Sequence, residues 1–300
     1  MSGESGFARP TTVPDMVARF DHLISARGAR VARDYHPSPS EVFIATPPKC
    51  GTTWMQQIVH GLRTGGSMDF DNINDVIPWL EMAYDVGQDL HADQGARPRA
   101  FKSHWTVDEL PAGAKYIVVV RDPRDALLST YAFFDGAFFE SGAIDLAAFA
   151  REFYIPAAEV PRHVLALWRR RRDPRILALT YESMKADPGT TVRRVARFIG
   201  VHADDELCDL IVQQSSLDFM KQHPDKFDDR VFFDSFRHAM RLPPTATLSK
   251  VRHGRAGAPP TAFPAGIIGE LDAMWTSLVT PITGWNNYHD LERELANPQD

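Results

Sequence analysis

Cysteine is almost absent from this 300-residue chain: Cys50 and Cys208 are the two. Two thiols cannot make a disulfide framework, and so small a number fits a reducing, intracellular setting. Long apolar runs are missing too. No stretch approaches the roughly 18 residues a membrane span needs. The opening "MSGESGFARPTTVPD" has neither the basic nor the apolar region of a secretory signal. A cytoplasmic protein with no membrane insertion is expected. Positive charge is in deficit, with 33 Lys and Arg against 39 Asp and Glu for a net −6. That argues against nucleic acid as a partner, and any anionic ligand must be held by a few local cations. Internal repeats and low-complexity tracts are also lacking.

What remains is the composition of an ordinary globular protein, long enough for one large α/β domain or two small ones. Residues 1–30 read as a polar, Gly/Ser/Pro-rich arm followed by a helix in "DMVARFDHLISARG", and 31–300 as one domain. Four short runs have strand character: Val42 to Thr46, Ala100 to His104, Tyr116 to Val120 and Ile176 to Tyr181. Each is rich in β-branched or aromatic residues and gives way to a helical pattern. "YIVVV" is continuously apolar, as a strand buried on both faces should be, so a central parallel sheet flanked by helices is predicted. Ligands of such sheets gather beyond the carboxyl ends of the strands. Lys49, Lys102, His104, Arg121 and Tyr181 should therefore lie together. The order of the strands cannot be read from the sequence.

The chemistry begins in "TPPKCGTTW". Pro47 and Pro48 stiffen a loop, Gly51 allows close backbone approach, and Thr52 and Thr53 open a helix. Backbone N–H groups, two hydroxyls and the Lys49 ammonium then converge on a phosphate-sized space. The G-x-x-x-x-G-K-[ST] spacing of an ATP-type loop is absent, and "VVVRDP" puts arginine where a magnesium-holding acid would stand. An anion bound without metal is expected. Asp122 and Pro123 suit the N-cap and first residue of the next helix. Arg121 and Ser129, two turns into that helix, could clamp a second phosphate; Arg121 alone would fit a helix-start ion pair equally well.

In "RAFKSHW", Lys102 and His104 share one face of a strand and Ser103 takes the other. A lysine beside a histidine favours the neutral imidazole, the form a general base needs. "SKVRHGRAGAPP" is a glycine-punctuated basic loop suited to covering a phosphate late. The aromatic segments "DVIPWLEMAY", "YAFFDGAFFESGAIDLAAFAREFY" and "DKFDDRVFFDSFRHAM" are core material one residue at a time, but together could wall an apolar pocket.

From about Val42 to Gly257 the chain resembles the cytosolic-type, PAPS-dependent sulfotransferases, with five motifs in the family's order. "TPPKCGTTW" looks like the 5′-phosphosulfate loop, "KSH" like the catalytic strand end and "VVVRDPRDALLSTYAFF" like the 3′-phosphate motif. "LTYESMKADP" and "VRHGRAG" look like later donor-binding segments. The resemblance implies one α/β domain with a P-loop-like phosphate-binding loop, and transfer of a sulfuryl group from PAPS to a hydroxyl without metal. By the same resemblance Lys49 contacts the 5′-phosphate and the oxygen bridging to sulfur, while Cys50, Gly51, Thr52 and Thr53 cradle that phosphate. Trp54 would stack near the adenine, and Arg121 and Ser129 would hold the 3′-phosphate with Arg252, His253 and Gly254. Tyr181, Ser215 and Leu217 match donor-contacting positions. His104 would be the base and Lys102 would steady the sulfuryl group, with Lys49 and Ser129 counted beside them in the transfer.

Cys50 stands where the family more often has serine, and His253 where it commonly has lysine. The aromatic segments favour a small lipophilic alcohol, phenol or glycolipid as acceptor over a charged polysaccharide. A kinase with a variant phosphate loop and a non-catalytic nucleotide sensor are the competing readings. The family's C-terminal dimer signature is not visible in "PAGIIGELDAMWTSLV", so the oligomeric state is open.

Overall fold

The computed structural model describes residues 7–243, 257 and 259–296. The four expected strands are present to within a residue: β1 (Val42–Ala45), β2 (Ala100–Ser103), β3 (Lys115–Val120) and β4 (Ile176–Thr180). They form one parallel sheet in the order β2-β1-β3-β4. From β1 the chain passes first to β2 on one side, then to β3 on the other. The carboxyl ends of β1 and β3 therefore flank the crevice where such sheets receive ligands.

Side-chain alternation explains the continuous apolar runs. Val42, Ile44, Ala100, Ile117, Val119 and Leu179 face one buried cluster, and Phe43, Ala45, Phe101, Tyr116, Val118 and Val120 face the other. The first face is covered by α3 (Thr52–Thr64), α6 (Tyr181–Ala186), α7 (Pro188–Ile199) and α8 (Asp205–Gln214), through Met55, Ile58, Met184, Val192, Val195 and Ile211. Over the second face lie α4 (Pro123–Phe134), α5 (Glu159–Arg169), α11 (Ile267–Leu278) and α12 (Tyr288–Ala296). α9 (Leu217–Gln222) packs through Met220 into a small third cluster with Phe70 and Phe227, and α10 (Arg230–Met240) sets Phe232 and Phe236 against Trp79.

Near the amino terminus the single helix expected from the sequence is two, α1 (Val13–Phe20) and α2 (Ala26–Arg33). Ser25 makes the break. Its hydroxyl accepts from the Gly28 N–H at 2.9 Å as the cap of α2, while its own N–H donates to Asp85 at 2.9 Å. Asp85 lies 60 positions away, so its part is invisible in a local pattern. Val13, Met16 and Ala32 pack into the same core as the aromatic face of the sheet.

Two connections shape the strand ends. Pro78 to Leu80 runs along the edge of β2, with Lys102 donating to the Pro78 carbonyl and Leu80 to the Lys102 carbonyl, each at 2.9 Å, which sets Trp79 beside Lys102. At the other side of the sheet, the Tyr288 hydroxyl of α12 donates to Glu182 Oε2 at 2.7 Å, and Glu182 Oε1 accepts from the Asp122 N–H at 3.2 Å. Glu182 thus links the segments that follow β3 and β4, and the Tyr288 hydroxyl of α12 braces that link.

Candidate active site

The loop after β1 is held in an uncommon backbone shape. Lys49 has φ +65° and Gly51 φ +101°, a left-handed conformation costly for a lysine and open to glycine. A Cβ on Gly51 would also sit 3.1 Å from Tyr181 Cδ2. This turn aims the start of α3 at the crevice. No side chain caps α3 at Gly51, whereas Asp122 caps α4 by accepting from the Arg124 N–H at 2.8 Å. The first N–H groups of α3, with their positive dipole end, are left for an anion. Thr52 and Thr46 hydrogen-bond through their hydroxyls. Cys50 is fully buried, its N–H donates to the Pro47 carbonyl at 3.3 Å, and burial pushes its thiol pKa up. Its side chain packs into the core.

Arg121, at the end of β3, is bound to this loop. Nη1 donates to the Lys49 carbonyl at 3.2 Å, Nη2 lies 3.9 Å from Asp125 Oδ2, and the guanidinium lies 4.3 Å from the centre of the Tyr181 ring. Tyr181 meets Trp54 edge-on at 5.4 Å. The buried Trp54 indole N–H has no acceptor among the described residues, an orphan donor in a wall of the site. Asp125 also accepts from the Gly257 N–H at 2.6 Å, which brings the chain after the basic loop down onto α4.

The structure thus joins Lys49, Gly51, Trp54, Arg121 and Tyr181 by direct contacts, with Thr52 and Thr53 on the first turn of α3. Ser129 is half-buried two turns along α4. Ser215 is buried and Leu217 half-buried where α8 gives way to α9; both stand outside this set of contacts. Arg252, His253 and Gly254 lie outside the described residues.

The end of β2 follows its expected alternation. Lys102 Nζ lies 4.7 Å from the Trp79 ring centre and the His104 ring 5.0 Å from it, so both side chains face Trp79. Ser103 turns away and donates to Glu81 Oε1 at 2.7 Å. His104 Nδ1 donates to the Thr46 carbonyl at 2.8 Å. A carbonyl can only accept, so the proton of the neutral ring belongs on Nδ1 and the basic lone pair on Nε2. Glu81, fully buried, also accepts from the His104 N–H at 2.8 Å and the Trp105 N–H at 3.2 Å. Burial pushes its carboxyl pKa up, against the pull of these donors. Lys102 is paired with Asp229 at 3.6 Å.

From Trp79, beside His104, to the Lys49 loop runs a sequence of aromatic contacts. Trp79 lies 6.1 Å from Phe236, Phe236 lies 5.8 Å from Phe138, and Phe138 lies 5.5 Å from Phe133. The Lys49 ammonium sits 4.2 Å above Phe133. One ring or more comes from each of the three aromatic segments. Glu81, Asp229 and Thr46 escaped sequence reasoning. An acid within the apolar "IPWLEM" was a usable signal of a buried functional carboxylate; Thr46 and Asp229 carried none. Among the described residues no group of three or more His, Cys, Asp or Glu is placed to hold a metal ion, and no helix is long and apolar enough to cross a membrane.

Fold and site together define a group-transfer enzyme acting on an anionic donor. The sequence matches the sulfotransferase domain family over residues 39–241, so the chain belongs to that family, and it is a PAPS-dependent sulfotransferase. It is 29% identical over 204 residues to sulfotransferase 1B1 of Canis lupus familiaris, covering 63% of this chain and 69% of that protein. To sulfotransferase 1A1 of Mus musculus it is 30% identical over 200 residues, covering 62% and 68%. The fold is similar to that of retinol dehydratase in a complex with retinol and PAP, with a TM-score of 0.66 at 18% identity, over 92% of this chain and 97% of that one. It is also similar to mouse sulfotransferase SULT7A1 complexed with PAP, at 0.64 and 19% over 91% and 93%.

Proposed function

We propose that the enzyme sulfates a hydroxyl of a small lipophilic acceptor, with PAPS as donor, His104 as general base and PAP as the released nucleotide. The observation that carries this reading is the joint at Thr46, whose carbonyl orients His104 and whose hydroxyl meets the first residue of the uncapped α3. Base and anion cradle are thereby held in one frame.

The residues suit the donor. Lys49 and the N–H groups opening α3 would take the 5′-phosphosulfate, Arg121 and Ser129 the 3′-phosphate, and Trp54 and Tyr181 the adenosine. Ser215 and Leu217 would line the same nucleotide. Arg252, His253 and Gly254 keep the role the family pattern gives them. The orphan Trp54 N–H and the close Gly51–Tyr181 approach fit a site built around a bound group. PAPS supplies an activated sulfuryl group and departs as the bisphosphate.

His104 Nε2 receives the acceptor hydroxyl's proton as the new O–S bond forms, and Lys49 compensates the charge that grows on the departing phosphate. Lys102 steadies the transferred group. Positioning and fixed charge account for most of the rate gain in transfers of this kind. The aromatic contacts between His104 and Lys49 support a lipophilic alcohol, phenol or glycolipid as acceptor.

A thermal-shift titration with PAP, ADP and ATP, each with and without magnesium, tests the donor, because a ligand that binds the folded state raises the melting point by mass action. Preference for PAP without metal is expected; preference for ATP with magnesium would favour the kinase reading. Turnover of a heparan-like polyanion and of no hydrophobic alcohol would overturn the acceptor class.

A further inference from the structure

Lys102 and Asp229 are charged yet almost fully enclosed, at 1% and 3% exposure. Their charges lie 3.6 Å apart. Removing two charges from water commonly costs as much as their attraction returns, so an apolar pair of similar volume would serve stability about as well. The surroundings give the pair another use. The ammonium lies 4.7 Å from the ring centres of both Trp79 and Phe232, whose π-systems attract a cation. Asp229 stands at the N-cap of α10, the helix that carries Phe232 and Phe236. One carboxylate therefore fixes the direction of the lysine two residues before His104 and docks the aromatic wall against β2.

The neighbouring ionisable groups face elsewhere or are already engaged. Asp228 accepts from Asn72 Nδ2 at 2.8 Å and lies 3.7 Å from Arg230, Glu81 is on the Ser103 side of the strand, and His104 is bound to Thr46.

We propose that Asp229 is a positioning residue for sulfuryl transfer, keeping the Lys102 ammonium charged and aimed beside His104 and anchoring the acceptor wall to the catalytic strand. The proposal rests on the reading that Lys102 acts on the transferred group. Asp229→Asn keeps the shape but takes away the charge beside a buried lysine, whose proton then becomes easier to lose.

The experiment compares Asp229→Asn, Asp229→Glu, Lys102→Met and the double variant Asp229→Asn/Lys102→Met in the full chain, measuring PAP affinity by calorimetry and kcat from about pH 6 to 9.5. For Asp229→Asn, PAP affinity should stay near the wild-type value, kcat should fall roughly 10- to 100-fold, and a decline toward alkaline pH should set in earlier than in the wild type. Asp229→Glu should restore the wild-type pH profile, which a merely structural role would not predict. The double variant should be no slower than Lys102→Met, because the two residues act as a unit. Low turnover of Lys102→Met beside a wild-type rate and profile in Asp229→Asn would overturn the positioning role alone. If Asp229→Asn does not fold, an altered pH profile in Asp229→Glu would count against it. Wild-type turnover of Lys102→Met would overturn the parent reading of Lys102 and the positioning role with it.

Discussion

His104 and Thr52 belong to different segments of the chain, yet both are bound to Thr46: the imidazole donates to its carbonyl at 2.8 Å, and the Thr52 hydroxyl meets its hydroxyl. A shift of the loop after β1 would move His104 with it. This coupling gives the assigned roles separable consequences.

Replacing His104 by alanine removes the proposed proton acceptor and leaves the loop after β1 in place. Turnover should fall about 10²- to 10⁴-fold, while the melting-point shift produced by PAP stays as it was. Unchanged turnover would remove His104 from the chemistry.

Arg121 works through a planar fork shared between a carbonyl, a carboxylate and a ring. Arg121→Lys keeps the charge but not the fork. A lost hydrogen bond to a charged group is worth about 1.5–3 kcal/mol, so PAP affinity measured by calorimetry should weaken on the order of 10- to 100-fold. Wild-type affinity in this variant would place the 3′-phosphate elsewhere.

Phe236 sits in the middle of the aromatic contacts between base and cradle. Phe236→Leu shortens a buried side chain, and its stability cost should stay below the roughly 3–5 kcal/mol of a full truncation to alanine. The KM for a lipophilic acceptor should rise on the order of tenfold, with PAP affinity unaffected. A raised PAP dissociation constant with an unchanged acceptor KM would put these rings on the donor side.

Two buried histidines bear on the response to acid. Burial, with Arg63 beside it, lowers His60 to about 3, and burial lowers His163 to about 4. Both rings are neutral in the folded protein, whereas the unfolded chain takes up protons below about pH 6.5. In that window the unfolded state binds more protons, so stability is complete above it and declines as pH falls. Each ring contributes a loss approaching 1.4 kcal/mol per pH unit, or about 2 kcal/mol by pH 5. Glu81, Glu159 and Glu182, raised by burial, act in the opposite sense as they protonate. The drop in melting temperature from pH 7.5 to pH 5 should be smaller in His163→Gln than in the wild type; equal drops would show that His163 does not govern it.

The parts of this architecture legible in the sequence are those that local chemistry determines. The central strands announced themselves because both of their faces are buried, leaving runs such as "YIVVV" with no polar interruption. The cradle was legible because its lysine, glycine and threonines are consecutive, and the Lys102–His104 pairing because a strand repeats every two residues. Nothing local encodes the order β2-β1-β3-β4, which depends on where distant segments pack. Contacts between remote positions were hidden for the same reason. Asp85 holds Ser25, the N-cap of α2, from 60 residues away, Trp79 is brought alongside Lys102 by an edge bridge, and Asp229 reaches Lys102 from beyond β4. Arg121 was expected at the cradle, but its attachment to the Lys49 carbonyl needed both strand ends in place.

The hydroxyl of Tyr288 on Glu182, beside the Tyr181 ring that backs the cradle, means that a late part of the chain completes a frame begun at Thr46. During synthesis, the ribosome would have to release nearly all of these residues before the nucleotide site could assume its finished form. A nascent chain halted before α12 could hold the phosphate loop, His104 and all four strands, and still lack the Tyr288 hydroxyl that braces Glu182 at the ends of β3 and β4.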